Sequence, residues 1–158
     1  SSKFISFSLR IRLKPSKNYY AIINSYQRKN PVFKNLYYKK IIKILDKIDS
    51  QKCEVILSKK GFLLEGCTSN ILCISDKIIY IPIDDYYKGV TMNYLLRNTK
   101  RKIKRINISL KNLFKYDEIL LVGSGKGVLR LNYIPEIGWK SKSDIVHKEL
   151  IKSYNKLL

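Results

Sequence analysis

The sequence predicts a single mixed domain of the α/β or α+β class. Segments whose apolar residues repeat every two positions alternate with segments whose repeat is three to four. Several strand-like segments also come in pairs joined by tight turns, as hairpins do. A chain of 158 residues with 45% apolar and 28% charged side chains suits one packed core and argues against disorder or a coiled coil.

Each element follows in order. In FISFSLRIRLK (4–14), Ile5, Phe7, Leu9, Ile11 and Leu13 share one strand face, and Pro15 ends the strand. A short strand over 20–24 precedes a polar loop. The period changes over 35–48, where Leu36, Ile41, Leu45 and Ile48 mark an amphipathic helix starting just after Lys34. CEVIL (53–57), SKKG and FLLEG (62–66) form a hairpin with Gly61 in its turn, and 70–74 pairs with 77–80 through Ser75-Asp76. Pro82 and Asp84-Asp85 open a loop, and Gly89 precedes a helix over 91–100. A strand over 103–108 leads to Ser109, whose hydroxyl is expected to cap a short helix through Lys115. EILLV (118–122) is a buried strand, residues 123–127 turn, and 128–133 form the next strand. The last helix, 143–156, buries Ile145, Leu150 and Ile151.

Thirty-two basic against 12 acidic residues give a net charge of +20, which admits a nucleic-acid or anionic-surface partner. AT-rich codon usage accounts for the same Lys, Ile, Asn and Tyr bias without any partner. Cys53, Cys67 and Cys73 do not form a complete disulfide framework and suit the reducing cytoplasm. No apolar run reaches the roughly 18 residues of a membrane span. Ser1-Ser2-Lys3 reads as a processed or trimmed start, and Phe4 to Leu9 is shorter than a signal-peptide core.

Several small motifs have plain readings. GSGKG (123–127) lacks the spacing and following helix of an ATP loop, although a turn of small residues lets backbone amides approach an anion. His147 is the sole histidine, too little for a zinc site, and no metal is expected. Asp84-Asp85 and Asp117-Glu118 are paired carboxylates without a third catalytic feature. Tyr19-Tyr20 and Tyr37-Tyr38 sit among lysines as a possible stacking surface.

GFLLEGCTSNIL is more informative. Glu65-Gly66-Cys67-Thr68-Ser69-Asn70 runs from one strand into another, and three further segments stand around it in order. They are FKNLYY with Lys34 and Tyr38, KGVT with Gly89-Val90-Thr91, and YDEILLVGSG with Ser124 and Gly125. Over roughly residues 30–135 the set resembles the pyridoxal-phosphate enzymes of fold type IV. These include 4-amino-4-deoxychorismate lyase and the branched-chain and D-amino-acid aminotransferases.

The resemblance implies the family's large C-terminal pseudo-barrel domain and pyridoxal 5'-phosphate as cofactor. Lys34 is then the amine that attaches the cofactor and moves the substrate proton. Glu65 is the partner of the protonated pyridine nitrogen; its plain alternative is a strand-edge acid paired with a surface lysine. Amides near Val90 and Thr91, the Thr91 hydroxyl, Ser124 and the Gly125 amide hold the phosphate or a substrate carboxylate. Tyr38 approaches the cofactor's phenolate oxygen.

Departures accompany the match. Met92 stands where the family often has arginine, and LRL (129–131) replaces a proline-containing strand, with Arg130 expected to add positive charge at the mouth of the site. The resemblance further implies a homodimer, with the first strand as a candidate seam. It also implies a small N-terminal domain that this chain lacks. The function expected is a lyase that releases pyruvate from 4-amino-4-deoxychorismate. An aminotransferase is the alternative within the same chemistry, and a basic nucleic-acid-binding domain the alternative outside it.

Overall fold

The computed structural model describes residues 14–33 and 38–156. Residues 4–13 of the expected first strand, with its proposed dimer seam, and Lys34 lie outside the described residues, and Lys14 belongs to no strand.

Two five-stranded sheets form the frame. In the first, β1 (Tyr20–Ser25) runs parallel to β2 (Cys53–Lys59), with α1 (Lys39–Leu45) between them in the chain. β2 then turns back into β3 (Phe62–Gly66) as the expected hairpin, with Lys60 and Gly61 both at positive φ. In the second, β4 (Asn70–Ser75) pairs antiparallel with β5 (Ile78–Ile81). α2 (Val90–Asn98) carries the chain to β6 (Ile103–Arg105), which is parallel to β5. β7 (Glu118–Gly123) lies antiparallel to β4 and turns into β8 (Gly127–Arg130).

The chain ends by closing back on the first sheet. Asn132 exchanges bonds with Tyr19: its amide donates to the Tyr19 carbonyl at 2.7 Å, and its Oδ1 accepts from the Tyr19 amide at 3.1 Å. The strand expected over 128–133 is therefore broken. β9 (Tyr133–Ile134) joins β1, and β10 (Trp139–Lys140) joins β9, before α3 (Ile145–Asn155). Among the described residues no helix is long and apolar enough to cross a membrane.

Burial on both sheet faces explains why β4 and β7 read as continuous apolar runs. Ile71, Cys73, Ile119 and Leu121 join one core with Ile56, Ile134 and Trp139 of the first sheet. The alternate residues Leu72, Ile74, Leu120 and Val122 pack with Met92 and Leu95 of α2 and Val146 and Leu150 of α3. A third cluster sets Ile41 of α1 on Val55 and Leu57. The layers thus run α1, first sheet, second sheet, then α2 with α3.

Two further local expectations change. Ser109 precedes a 3₁₀ turn, Leu110–Lys115, but its hydroxyl caps no amide; the Leu110 amide instead reaches the Gly61 carbonyl at 2.9 Å. The buried stripe of α3 is Val146, Leu150 and Tyr154, while Ile145 is exposed. Glu118 sets that rotation by accepting from the amides of Val146 (3.0 Å) and His147 (2.8 Å) and from the Ser143 hydroxyl (3.0 Å). This acid is therefore a helix cap.

Candidate active site

The β3–β4 connection, the loop before α2 and the β7–β8 turn meet at one end of the sheets. They enclose a cavity of about 320 Å³ whose lining includes Arg28, Tyr38, Glu65, Asn70, Thr91 and Ser124. Of the candidate site residues, Tyr38, Glu65, Val90, Thr91 and Ser124 come together here. Gly125 follows Ser124 in the same turn, exposed and beyond the lining.

Glu65 is buried at the end of β3, and its partner is not a surface lysine. Arg28 grips it with two prongs, Nε to Oε1 at 2.6 Å and Nη2 to Oε2 at 2.7 Å. The Tyr87 amide adds a third bond to Oε2 at 3.1 Å. Burial pushes the Glu65 carboxyl up from its ordinary range, and Arg28 and the Tyr87 amide oppose that push. Burial likewise opposes the charge on Arg28, but Glu65 outweighs it, with support from Tyr38, and holds the guanidinium above its usual value. Three donors on two oxygens are the surroundings of an ionised carboxylate. Sequence reasoning missed Arg28. Its signal is that a buried acid needs a cation, and Arg28 is the one arginine between β1 and β2.

Asn70 holds the same loop from its other end. Its amide nitrogen donates to the Tyr87 carbonyl, and its Oδ1 accepts from the Gly89 amide at 3.1 Å. A Cβ on Gly89 would overlap that oxygen, so the close approach requires glycine. The loop is thereby tied down just before α2, whose N-cap, Gly89, offers no side-chain cap. Thr91 is buried in the first turn, while Val90 stands exposed beside it. The first amides of the helix thus meet no side-chain cap, and a nine-residue helix has a dipole that favours negative charge at this end.

The remaining motifs lie elsewhere. Arg130 lines a separate groove with Asp144, His147, Lys148, Ile151 and Lys152, away from the mouth of this cavity. Tyr19 is fully buried, its hydroxyl donating to the Cys53 carbonyl at 2.8 Å, so it does not serve as a stacking surface. Asp85 pairs with Lys59 at 3.3 Å on the exterior.

No curated protein sequence matches the chain significantly. Solved structures share its fold. A Legionella pneumophila protein described as a candidate 4-amino-4-deoxychorismate lyase superposes with a TM-score of 0.76 at 20% identity, over 95% of this chain and 59% of that one. A branched-chain aminotransferase from Thermoproteus uzoniensis, solved with norvaline, gives 0.78 at 17% identity over 97% and 54%. A Brucella abortus aminotransferase bound to the cofactor PLP gives 0.77 at 17% identity over 95% and 57%. This chain therefore spans little more than half the length of the structures it matches. The family model for amino-transferase class IV matches residues 7–134, most of the chain, and with this fold and cavity the chain belongs to that family, the fold type IV pyridoxal-phosphate enzymes.

Proposed function

We propose that this domain holds pyridoxal 5'-phosphate and serves a lyase that releases pyruvate from 4-amino-4-deoxychorismate, leaving 4-aminobenzoate. The observation that carries the reading is the convergence of a buried, arginine-held carboxylate and an uncapped helix N-terminus on one cavity. The residues fit the cofactor: an acid suited to a ring nitrogen faces the space that an anion-favouring helix end also faces. Bound there, pyridoxal phosphate supplies an electron sink conjugated to the carbon that bears the substrate amine.

Each residue then has one task. Glu65 holds the proton on the ring nitrogen, and Arg28 with the Tyr87 amide keeps its carboxylate ionised and oriented. The Val90 and Thr91 amides and the Thr91 hydroxyl bind the phosphate, Ser124 adds a hydroxyl, and the Gly125 amide, next in the same exposed turn, serves the phosphate or a substrate carboxylate. Tyr38 orients the phenolate edge. Lys34 attaches the cofactor through Nζ and, once the substrate amine has displaced it, takes the proton from the amine-bearing carbon with its freed amine. No lysine among the described residues lines the cavity, whereas Arg28 and Tyr38, which bracket Lys34 in the chain, both do.

An aminotransferase would use the same residues, and the aminotransferases among the similar structures favour it as the second reading. A small N-terminal domain completing the substrate pocket, a homodimer and a cytoplasmic location complete the proposal. The free, buried thiols of Cys53, Cys67 and Cys73 support the reducing location.

The test starts with pyridoxal phosphate added to the complete protein. A visible absorption band is expected, together with a borohydride-fixed adduct that mass spectrometry places on Lys34. An adduct on another lysine overturns that assignment. Incubation with aminodeoxychorismate, in parallel with branched-chain or D-amino acids plus 2-oxoglutarate, separates the lyase from the aminotransferase.

A further inference from the structure

A second buried ion pair lies behind the cavity wall, and neither of its members lines the cavity. Glu54 of β2 is fully buried, and the Lys126 side chain is 12% exposed. Lys126 Nζ donates to Glu54 Oε2 at 2.6 Å and to the Tyr19 hydroxyl at 3.0 Å. The same Oε2 accepts from the Thr68 hydroxyl at 2.8 Å and the Ser69 hydroxyl at 3.1 Å, and Oε1 accepts from the Val55 amide at 3.0 Å.

The placement of this network matters more than its bond count. Glu54 belongs to the first sheet, while Lys126 belongs to the turn between β7 and β8 of the second. Thr68 and Ser69 lie in the connection between the sheets and line the cavity, as do Gly123, the last residue of β7, and Ser124 of the turn that carries Lys126. The two turns already touch: a Cβ on Gly123 would stand 3.2 Å from the Thr68 carbonyl oxygen. A lysine ammonium is a compact charge with three donors, and here it pulls two cavity walls onto one carboxylate. Burial works against the charge on Lys126, yet Glu54 and Tyr19 hold its proton above the ordinary lysine value.

We propose that Lys126 is a positioning residue that clamps the β7–β8 turn to the Thr68–Ser69 connection and so sets Gly123 and Ser124 at the anion-holding end of the cavity. The inference rests on the cofactor reading above. It assigns the GSGKG lysine a task that neither an ATP loop nor a solvated surface lysine describes.

The test compares dissociation constants for pyridoxal phosphate and for phosphate-free pyridoxal in the complete protein, since the two differ only at the group the turn would hold. Lys126→Met is expected to weaken pyridoxal phosphate about tenfold and pyridoxal less than about twofold, and Lys126→Arg to recover most of the loss. Lys126→Met leaves Glu54 buried without its cation and is prone to misfold. The double variant Lys126→Met with Glu54→Gln removes that charge while an amide oxygen still accepts from the hydroxyls; it is expected to fold and to retain the selective loss. Equal weakening of both ligands, or unchanged pyridoxal phosphate binding in the double variant, overturns the clamp. Parent protein that binds neither ligand saturably overturns the cofactor reading itself, and the clamp with it; the two failures are therefore distinct.

Discussion

Glu65 and Glu54 sit on adjacent antiparallel strands, both buried and both ion-paired, yet only Glu65 lines the cavity. Glu65 is gripped by a planar guanidinium that fixes the tilt of its carboxylate. Glu54 is met by an ammonium and two hydroxyls converging on one oxygen, an enclosure that ties chain segments together. The difference shows how one fold uses a buried acid in two ways. On the proposed reading the forked arginine keeps one carboxylate aligned for a ligand, whereas the lysine with hydroxyl donors turns the other into a knot.

Removing the cations from this arrangement should produce the largest effect. Arg28→Met strands Glu65 with the Tyr87 amide alone. The expected loss is about 3–5 kcal/mol of stability, read from urea unfolding, because a buried charge is left unpaired. Glu65→Gln strands the buried Arg28 guanidinium in turn, so it too should lose stability, though less than Arg28→Met because the amide oxygen still accepts from Arg28. It should also lower turnover on the order of 100-fold at saturating cofactor, since a neutral amide does not favour a protonated ring nitrogen. Unfolding midpoints for Arg28→Met equal to the parent's would erase the distinction drawn between the two acids.

The comparison also explains what could be read in advance. Glu65, Gly66 and Asn70 were legible because EGCTSN packs several constrained positions into six residues, and the structure gives Asn70 and Gly89 a shared contact. Arg28 was not legible: its partner lies 37 residues away and 32 basic residues dilute any single one. Lys126 was hidden in the same way, since its partner Glu54 is 72 residues distant. The hairpins and helices followed from period and turn residues. The stripe of α3 was misread because Glu118, outside the helix, chooses which first-turn amides face inward. β9 and β10 have two residues each, too few for any period to register.

A smaller effect is expected where Asn70 meets Gly89. Gly89 has an ordinary negative φ of −64°, so alanine there meets no backbone strain, only the Asn70 oxygen. Gly89→Ala should cost about 1–3 kcal/mol as an overpacked site and displace the start of α2. Urea unfolding of Gly89→Ala, Asn70→Ala and the double variant gives the coupling. The double variant should lose less than the sum of the singles. Simple additivity would mean that the close approach does not govern this wall.

The finest comparison uses Cys67, which lines the cavity close to both acids. Burial first, then the negative charges of Glu54 and Glu65, raise its thiol to about 12 against the opposing pull of Lys126 and Arg28. The thiolate is the reactive form, so alkylation should be slow at neutral pH and quicken about tenfold per pH unit below that value. Either Glu→Gln change removes one raising charge, increases the thiolate fraction at fixed pH and speeds labelling. The gain should be larger for Glu54→Gln than for Glu65→Gln, because Glu54 contributes more to the rise. Iodoacetamide labelling across pH 7 to 10, with peptide mass spectrometry separating Cys67 from the buried Cys53 and Cys73, measures both rates. Equal rates in the two variants would show that the thiol does not distinguish the acids electrostatically, leaving their difference to geometry alone.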